Sequence, residues 1–215
     1  MPELPEVQTT VNGVKRYAKG KRIVDVWTDY GSPFHEGKSN IKNRKYFARF
    51  KKEVAGRSIT GAERIGKNVI IHLSGGKSIV VHMKMTGHLL FGEYAFDGKT
   101  WTAKHAGPLR DDGFNRFIHL LFTLSGGKHL ALSDMRKFAR VSVVETSSLP
   151  HADDLDSIGP DPLNRDFTYK VFKGRLLKRP AGKIKQALME QKLIAGIGNI
   201  YSDEILWRAG VHPLS

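Results

Sequence analysis

The sequence predicts an α+β chain of more than one domain. An N-terminal helix is followed by a two-sheet antiparallel β-sandwich and then by a helical module. Three observations carry this. Apolar residues recur at helical spacing near the start, two closely similar glycine hairpin signals punctuate the middle, and helical periodicity returns after an acidic, turn-rich stretch. With 215 residues there is length for a full core, and a hydrophobic content of 40% is too high for a disordered chain.

Residues 3–19 read as the first helix. Val7, Val11, Val14 and Ala18 line one face, while Lys15, Arg16 and Lys19 decorate the others. Gly20 is a stop signal, and Gly13 weakens the pattern by up to about 1 kcal/mol relative to alanine. From Arg22 to Val144 the signal is that of strands, beginning with Ile23, Val24, Val26 and Trp27. Val69 to Leu73 and Ser78 to Met83 flank Ser74-Gly75-Gly76-Lys77, a hairpin signal. The device returns 51 residues later, where Ile118–Leu124 and His129–Leu132 flank Ser125-Gly126-Gly127-Lys128. Two sheets packed face to face would bury the apolar sides of both.

Residues 92–115, with Gly92, Gly98, Gly107, Pro108 and Gly113, predict a long exposed loop or irregular extension. Residues 146–165 hold Pro150, an acidic run at 153–156 and Gly159-Pro160-Asp161-Pro162, and read as a linker between units at 1–145 and 166–215. Three helices are expected beyond it. The first carries Phe167, Val171 and Leu176-Leu177 and is broken near Gly174 or Pro180. The second carries Ile184, Leu188 and Leu193. The third carries Ile200, Ile205 and Leu206 and ends at Gly210 and Pro213.

The net charge is +14. Residues 1–145 hold 25 Lys and Arg against 13 Asp and Glu, residues 146–165 one against four, and residues 166–215 nine against four. Such a chain is steered toward a polyanion, with nucleic acid ahead of an anionic membrane face. A basic RNA- or ribosome-associated protein is the alternative reading of charge alone. The absence of cysteine excludes disulfides and thiolate metal sites within these residues. No apolar run suits a membrane span or a signal peptide, so no membrane role and a cytoplasmic location are expected.

Two short stretches carry chemistry. Loss of Met1 would leave Pro2 with a free secondary amine beside the carboxylate of Glu3. Such an amine attacks an electrophilic carbon and forms an iminium ion, with the carboxylate moving protons. The plainer reading is a structural proline at a helix start. Gly196-Ile197-Gly198-Asn199 separates two helices, with Asn199 as the expected N-cap and Gly198 opening the backbone N–H groups to a phosphate. Lys185 and Lys192 would flank that anion. A simple helix corner is the other reading.

The opening Met1-Pro-Glu-Leu-Pro-Glu-Val7 resembles that of formamidopyrimidine-DNA glycosylases, a family that includes the endonuclease-eight-like enzymes. Residues 191–204, Gln-Lys-Leu-Ile-Ala-Gly-Ile-Gly-Asn-Ile-Tyr-Ser-Asp-Glu, resemble its helix–two-turns–helix signature. His82-Met-Lys-Met-Thr-Gly87 is similar to its His-Leu-Gly-Met-Ser-Gly segment, and Asp134-Met-Arg-Lys-Phe-Ala139 to Asp-Pro-Arg-Arg-Phe-Gly. Leu4 favours the formamidopyrimidine branch over the endonuclease-eight-like one.

The resemblance implies a helix–two-turns–helix DNA-binding module beside the sandwich, with duplex DNA bearing a damaged base or abasic site between them. It implies base-excision repair by a bifunctional glycosylase and abasic-site lyase acting on formamidopyrimidine and 8-oxoguanine, as a monomer near the nucleoid. Pro2 would attack C1′, Glu3 would protonate the sugar ring oxygen or relay protons, and Glu6 would help position the helix. Lys67 would belong to the catalytic set, contacting the phosphates around the lesion, and Asn199 would bind the phosphate backbone. An extruded base leaves a hole in the stack, and Met85, Arg136 and Phe138 would fill it. On pattern alone Met85 and Phe138 read as core residues, with Met83 and Met85 on one strand face.

Departures are informative too. The family usually carries one zinc in a four-cysteine C-terminal finger, whereas this cysteine-free chain stops at Ser215. No cofactor is therefore expected in it, and a binder of damaged or structured DNA that has lost the chemistry is the rival reading. Lys84 stands where the family has glycine, Met135 for proline, Lys137 for arginine and Ala139 for glycine, which predicts a reshaped void-filling loop.

Overall fold

The computed structural model describes residues 1–38, 40–153, 155–179 and 182–215. Helix α1 (Leu4–Tyr17) buries Leu4, Val7, Val11 and Val14, the stripe its spacing predicts. It stops where expected: Gly20 takes a φ of +83° and its N–H donates to the Ile59 carbonyl at 2.8 Å, which turns the chain toward the sheets. Strand β1 (Ile23–Thr28) follows, and then helix α2 (Arg44–Val54), which lies inside the stretch expected to be strands. Its Tyr46, Phe50 and Val54, four residues apart, are buried, and the Asn43 side chain caps it by accepting the Lys45 N–H at 3.0 Å.

Strands β2 (Ile59–Ile65), β3 (Asn68–Leu73), β4 (Lys77–His82) and β5 (His88–Gly92) come next. A short ribbon of β6 (Tyr94–Phe96) and β7 (Trp101–Ala103), a helical turn α3 (Pro108–Asp111), and strands β8 (Ile118–Leu124), β9 (Lys128–Ser133) and β10 (Arg140–Glu145) complete the first unit. They form two antiparallel four-stranded sheets, ordered β1-β8-β9-β5 and β10-β4-β3-β2. The two glycine hairpins are the central pairs of the two sheets, β3–β4 in one and β8–β9 in the other. Both turns place successive glycines in the left-handed region, at +74° and +73° for Gly75 and Gly76 and at +81° and +70° for Gly126 and Gly127. The sequence echo is thus an architectural one.

The core lies between the sheets, with Val69, Ile71, Val81, Leu120, Phe122 and Leu132 fully or almost fully buried. Helix α1 packs on β2, β3 and β5 and closes one open side, while α2 packs on β1 and β10 and closes the other. The outer faces are covered as well, which explains the nearly continuous burial of β3, β4 and β8. Residues 92–115 are more ordered than the expected irregular loop. Tyr94, Trp101 and Leu109 pack with Leu121 and Ala131 across the first sheet's outer face. Residues 146–165 likewise include Leu149 and Leu155, which pack on Ile70 and Val80 of the second sheet. This linker is a fitted strap with its own apolar anchors.

Beyond it stand α4 (Tyr169–Leu176), α5 (Ile184–Met189) and α6 (Asn199–Ala209). Helix α4 runs through Gly174, and Pro180 lies outside the described residues. Leu193 falls in the turn after α5, yet joins Leu188, Ile194, Ile197 and Leu206 in a small core. Gly210 ends α6 at a φ of +64°. Among the described residues no helix is long and apolar enough to cross a membrane.

Candidate active site

The N-terminus is locked into the corner between α5 and α6. Glu3 is only 2% exposed, and its carboxylate accepts N–H bonds from Gly198 at 2.8 Å, Ile200 at 2.9 Å and Tyr201 at 3.2 Å. The first turn of α6 therefore does bind an anion, but that anion is Glu3 rather than a phosphate. The N-cap is Gly198, one residue before the expected Asn199, which occupies the first helical position with an exposed side chain. The Leu4 N–H donates to the Gly196 carbonyl at 3.1 Å. Both glycines permit this approach: a Cβ at Gly196 would lie 2.9 Å from the Leu4 Cβ, and one at Gly198 would collide with the Glu3 carboxyl.

Glu6 supports the same arrangement. Its carboxylate accepts the Glu3 N–H at 2.8 Å and the Tyr201 hydroxyl at 3.3 Å. Pro2 is thereby held, half-buried, where the sandwich meets the helical module, with Met1 half-exposed before it. While Met1 is attached, the Pro2 nitrogen is an amide without nucleophilic character.

Lys67 sits in the β2–β3 turn after Gly66, whose φ is +58°, and is 6% exposed. Burial pushes its ammonium pKa down, opposed by the charge of Glu3. It lines a cleft of about 190 Å³ with Asn68, His82 and Lys192 and the acidic Asp156 and Glu190, between the two units. His82 had no role assigned from sequence, although the segment that resembles the family begins with it. Strand register brings it there, opposite Asn68 on one side and Arg140 on the other. Its pKa is pushed down to about 3, first by burial and then by the charges of Lys84, Lys67 and Arg140. Its Nδ1 accepts the Lys84 N–H at 3.1 Å, so the neutral ring carries its proton on Nε2.

Met85, Arg136 and Phe138 come together as a protruding cluster. Met85 is 45% and Phe138 47% exposed, and the Arg136 guanidinium lies 4.5 Å from the Phe138 ring centroid. The core reading of Met85 and Phe138 is overturned. Strand β4 ends at His82, so Met83 turns inward and Met85 outward.

Asp134, which has no exposed surface, fastens the cluster's two loops. Its carboxylate accepts the Thr86 hydroxyl at 2.5 Å, the Tyr30 hydroxyl at 3.0 Å and the Ala139 N–H at 2.7 Å. The Thr86 oxygen in turn accepts the Arg136 N–H at 3.1 Å. Sequence reasoning missed Asp134, Thr86 and Tyr30 as organisers, although Asp134 opens one family-like segment and Thr86 lies in another.

Lys192 is exposed beside the Lys67 cleft, as a phosphate contact requires. Lys185 is placed differently: its ammonium pairs with Asp203 of α6 at 2.7 Å, so a phosphate there would compete with a carboxylate. The residues present do not fit a zinc centre, since the chain has no cysteine and no group of three His, Asp or Glu is placed to hold an ion among the described residues.

Family models match in two places, the formamidopyrimidine-DNA glycosylase N-terminal domain over residues 1–141 and the formamidopyrimidine-DNA glycosylase H2TH domain over 158–215. The chain is 36% identical over 217 residues to the formamidopyrimidine-DNA glycosylase of Moorella thermoacetica, covering 99% of this chain and 69% of that one. The enzyme of the same name from Desulforamulus reducens is 33% identical, with coverages of 99% and 68%. Among solved structures, the complex of Lactococcus lactis Fpg with abasic-site DNA is 30% identical with a TM-score of 0.78, covering 99% of this chain and 69% of that one. The wild-type Lactococcus lactis Fpg bound to DNA containing N7-benzyl-Fapy-dG gives a TM-score of 0.79 at 30% identity, with coverages of 100% and 70%.

Proposed function

The chain belongs to the formamidopyrimidine-DNA glycosylase family, and from that premise we propose that it excises oxidised purines from duplex DNA through the Pro2 amine. It is a DNA glycosylase of base-excision repair; the nucleophile, the lesion and the lyase step are the parts proposed. One observation carries them. The residue before Glu3 is held by the Glu3–Gly198 clasp near the cleft of Lys67, His82 and Lys192 and a protruding Met–Arg–Phe cluster.

With Met1 removed, the Pro2 nitrogen has a lone pair to attack C1′ of the extruded nucleotide. The C1′–N bond to the base breaks, the base leaves with a proton, and ring opening yields an iminium between Pro2 and C1′. The iminium acidifies the C2′ proton, whose removal expels the 3′ phosphate by β-elimination; a second elimination expels the 5′ phosphate. Hydrolysis of the remaining iminium returns the amine. The Glu3 carboxylate stands beside this cation, where its charge favours the iminium, and it is the proton relay closest in sequence to the amine. Lys67, His82 and Lys192 hold phosphates at the cleft with Asn199, and Met85, Arg136 and Phe138 occupy the vacated stack. The enzyme works as a monomer in the cytoplasm, on nucleoid DNA.

The test is borohydride trapping with abasic-site duplex. Protein whose Met1 loss is verified by mass spectrometry forms a covalent adduct at Pro2, whereas protein extended at its N-terminus forms none. Tight duplex binding with no adduct from the processed protein would leave a DNA-binding protein of this fold and sink the mechanism. Release of formamidopyrimidine and 8-oxoguanine from defined duplexes settles the lesion.

A further inference from the structure

A cationic groove lies outside the Lys67 cleft. It has a volume of about 770 Å³ and runs between His35, Lys38, Asn40 and Lys42 on one side and the Arg136 loop on the other. Its lining includes Lys38, Lys42, Lys84, Arg136, Lys137 and Arg140, and no carboxylate. Three of these charges have other work. The Lys42 ammonium donates to the Lys137 carbonyl at 2.6 Å, Lys137 pairs with Asp29 at 3.5 Å, and Arg136 stacks on Phe138. The Lys84 ammonium forms no hydrogen bond or ion pair among the described residues.

The backbone at Lys84 is equally informative. Its φ is +55°, in the left-handed region where glycine is unstrained and a side chain is not. The turn needs this conformation, since the Lys84 N–H closes onto His82 and sets Met83 inward against Met85 outward. Nothing in the turn needs a side chain there. Strain of this sort, held at the edge of a cleft, points to a role for the side chain in binding. Burial leads in pushing the Lys42 ammonium's pKa down; the charge of Asp134 opposes this, and those of Arg140 and Lys84 add to it. An anion beside Lys42, Arg140 and Lys84 would ease the repulsion among the three.

We propose that Lys84, with Lys42 and Arg140, forms a second phosphate-binding subsite beside the Met85–Arg136–Phe138 cluster, which grips a backbone phosphate of the bound duplex. The His82 ring lies between this subsite and Lys67, so the two grip DNA on either side of it. The subsite rests on the reading of the chain as a duplex-DNA enzyme and adds a contact that reading does not require.

Lys84→Gly is the decisive variant, because glycine is the residue the backbone prefers at this φ. Its thermal midpoint should equal or exceed that of the unaltered chain, while affinity for a duplex carrying a tetrahydrofuran abasic analogue falls several-fold. The slope of log Kobs against log[NaCl] should become shallower by about 0.9, one phosphate contact on duplex DNA. Lys84→Arg should keep the slope. An unchanged slope and affinity in Lys84→Gly overturn the subsite while leaving the parent reading intact. Absence of salt-dependent duplex binding by the unaltered chain overturns both.

Discussion

At the scale of single residues, the site depends on small groups placed where larger ones cannot go. Gly198 lets the Glu3 carboxyl reach three N–H groups of α6. Gly198→Ala should therefore break the clasp, lowering stability by about 1–3 kcal/mol through the freed N–H groups and carboxylate. Borohydride trapping should fall with it, since Pro2 loses its anchor; thermal melting and the trapping assay read the two effects.

His82 makes a prediction about pH. Its folded pKa of about 3 lies below the ordinary histidine value of 6.5, so the unfolded chain binds the proton more readily between those values. Its contribution is thus fully present above about pH 6.5 and is lost as pH falls toward 3. The slope is up to about 1.4 kcal/mol per pH unit. Denaturant melts from pH 7 to 4 should show that slope diminished in His82→Gln.

At the scale of elements, backbone conformation decides the sign of the same substitution. Gly126 and Gly13 both have open space where a Cβ would go, but Gly126 has a φ of +81° and Gly13 lies inside α1. Gly126→Ala should destabilise by about 1–2 kcal/mol through left-handed strain. Gly13→Ala should stabilise by up to about 1 kcal/mol through helix propensity. Thermal melts of the two variants give opposite shifts.

The elements read best from sequence were those governed by local rules: the α1 stripe, the paired glycine turns and the stop at Gly210. Helix α2 was missed because strands flank it and its apolar triplet, Tyr46, Phe50 and Val54, is embedded in basic residues. Its amphipathic face is legible only once it is seen to close a side of the sandwich. The extension at 92–115 was read as exposed because glycines and prolines mark its turns. Its aromatic residues find cover on the outer face of a sheet, which local patterning cannot show.

At the scale of the whole molecule, the two units are joined by more than the chain between them. The Arg64 guanidinium pairs with Asp161 of the strap at 2.5 Å, and also donates to the Gln8 side chain and the Gly66 carbonyl, both at 3.1 Å. One nearly buried cation therefore ties α1, the turn that presents Lys67, and the strap. The strap in turn meets the helical module, with the Gly159 N–H on the Gln191 carbonyl at 2.8 Å and the Ala195 N–H on the Pro160 carbonyl at 3.0 Å. Asp161→Ala should cost about 3 kcal/mol, because it leaves a buried charge without its partner. The strap should then become cleavable under limited proteolysis before the sandwich unfolds.

The sequence by itself determined the α+β class and the basic character, and its resemblance to the family pointed to a proline at position 2, lysines and a Met–Arg–Phe set. Class and charge follow from composition, spacing and turn preference, which act over a few residues. Only the tertiary structure decided what each charge meets. It placed Glu3 rather than a phosphate on the α6 N-terminus, gave Lys185 to Asp203, set Met85 outward, and left the Lys84 ammonium without a partner among the described residues, in a groove of cations. The reason is physical: a charged group takes whichever partner lies within a few ångströms, and that neighbour here comes from residues far apart in the chain.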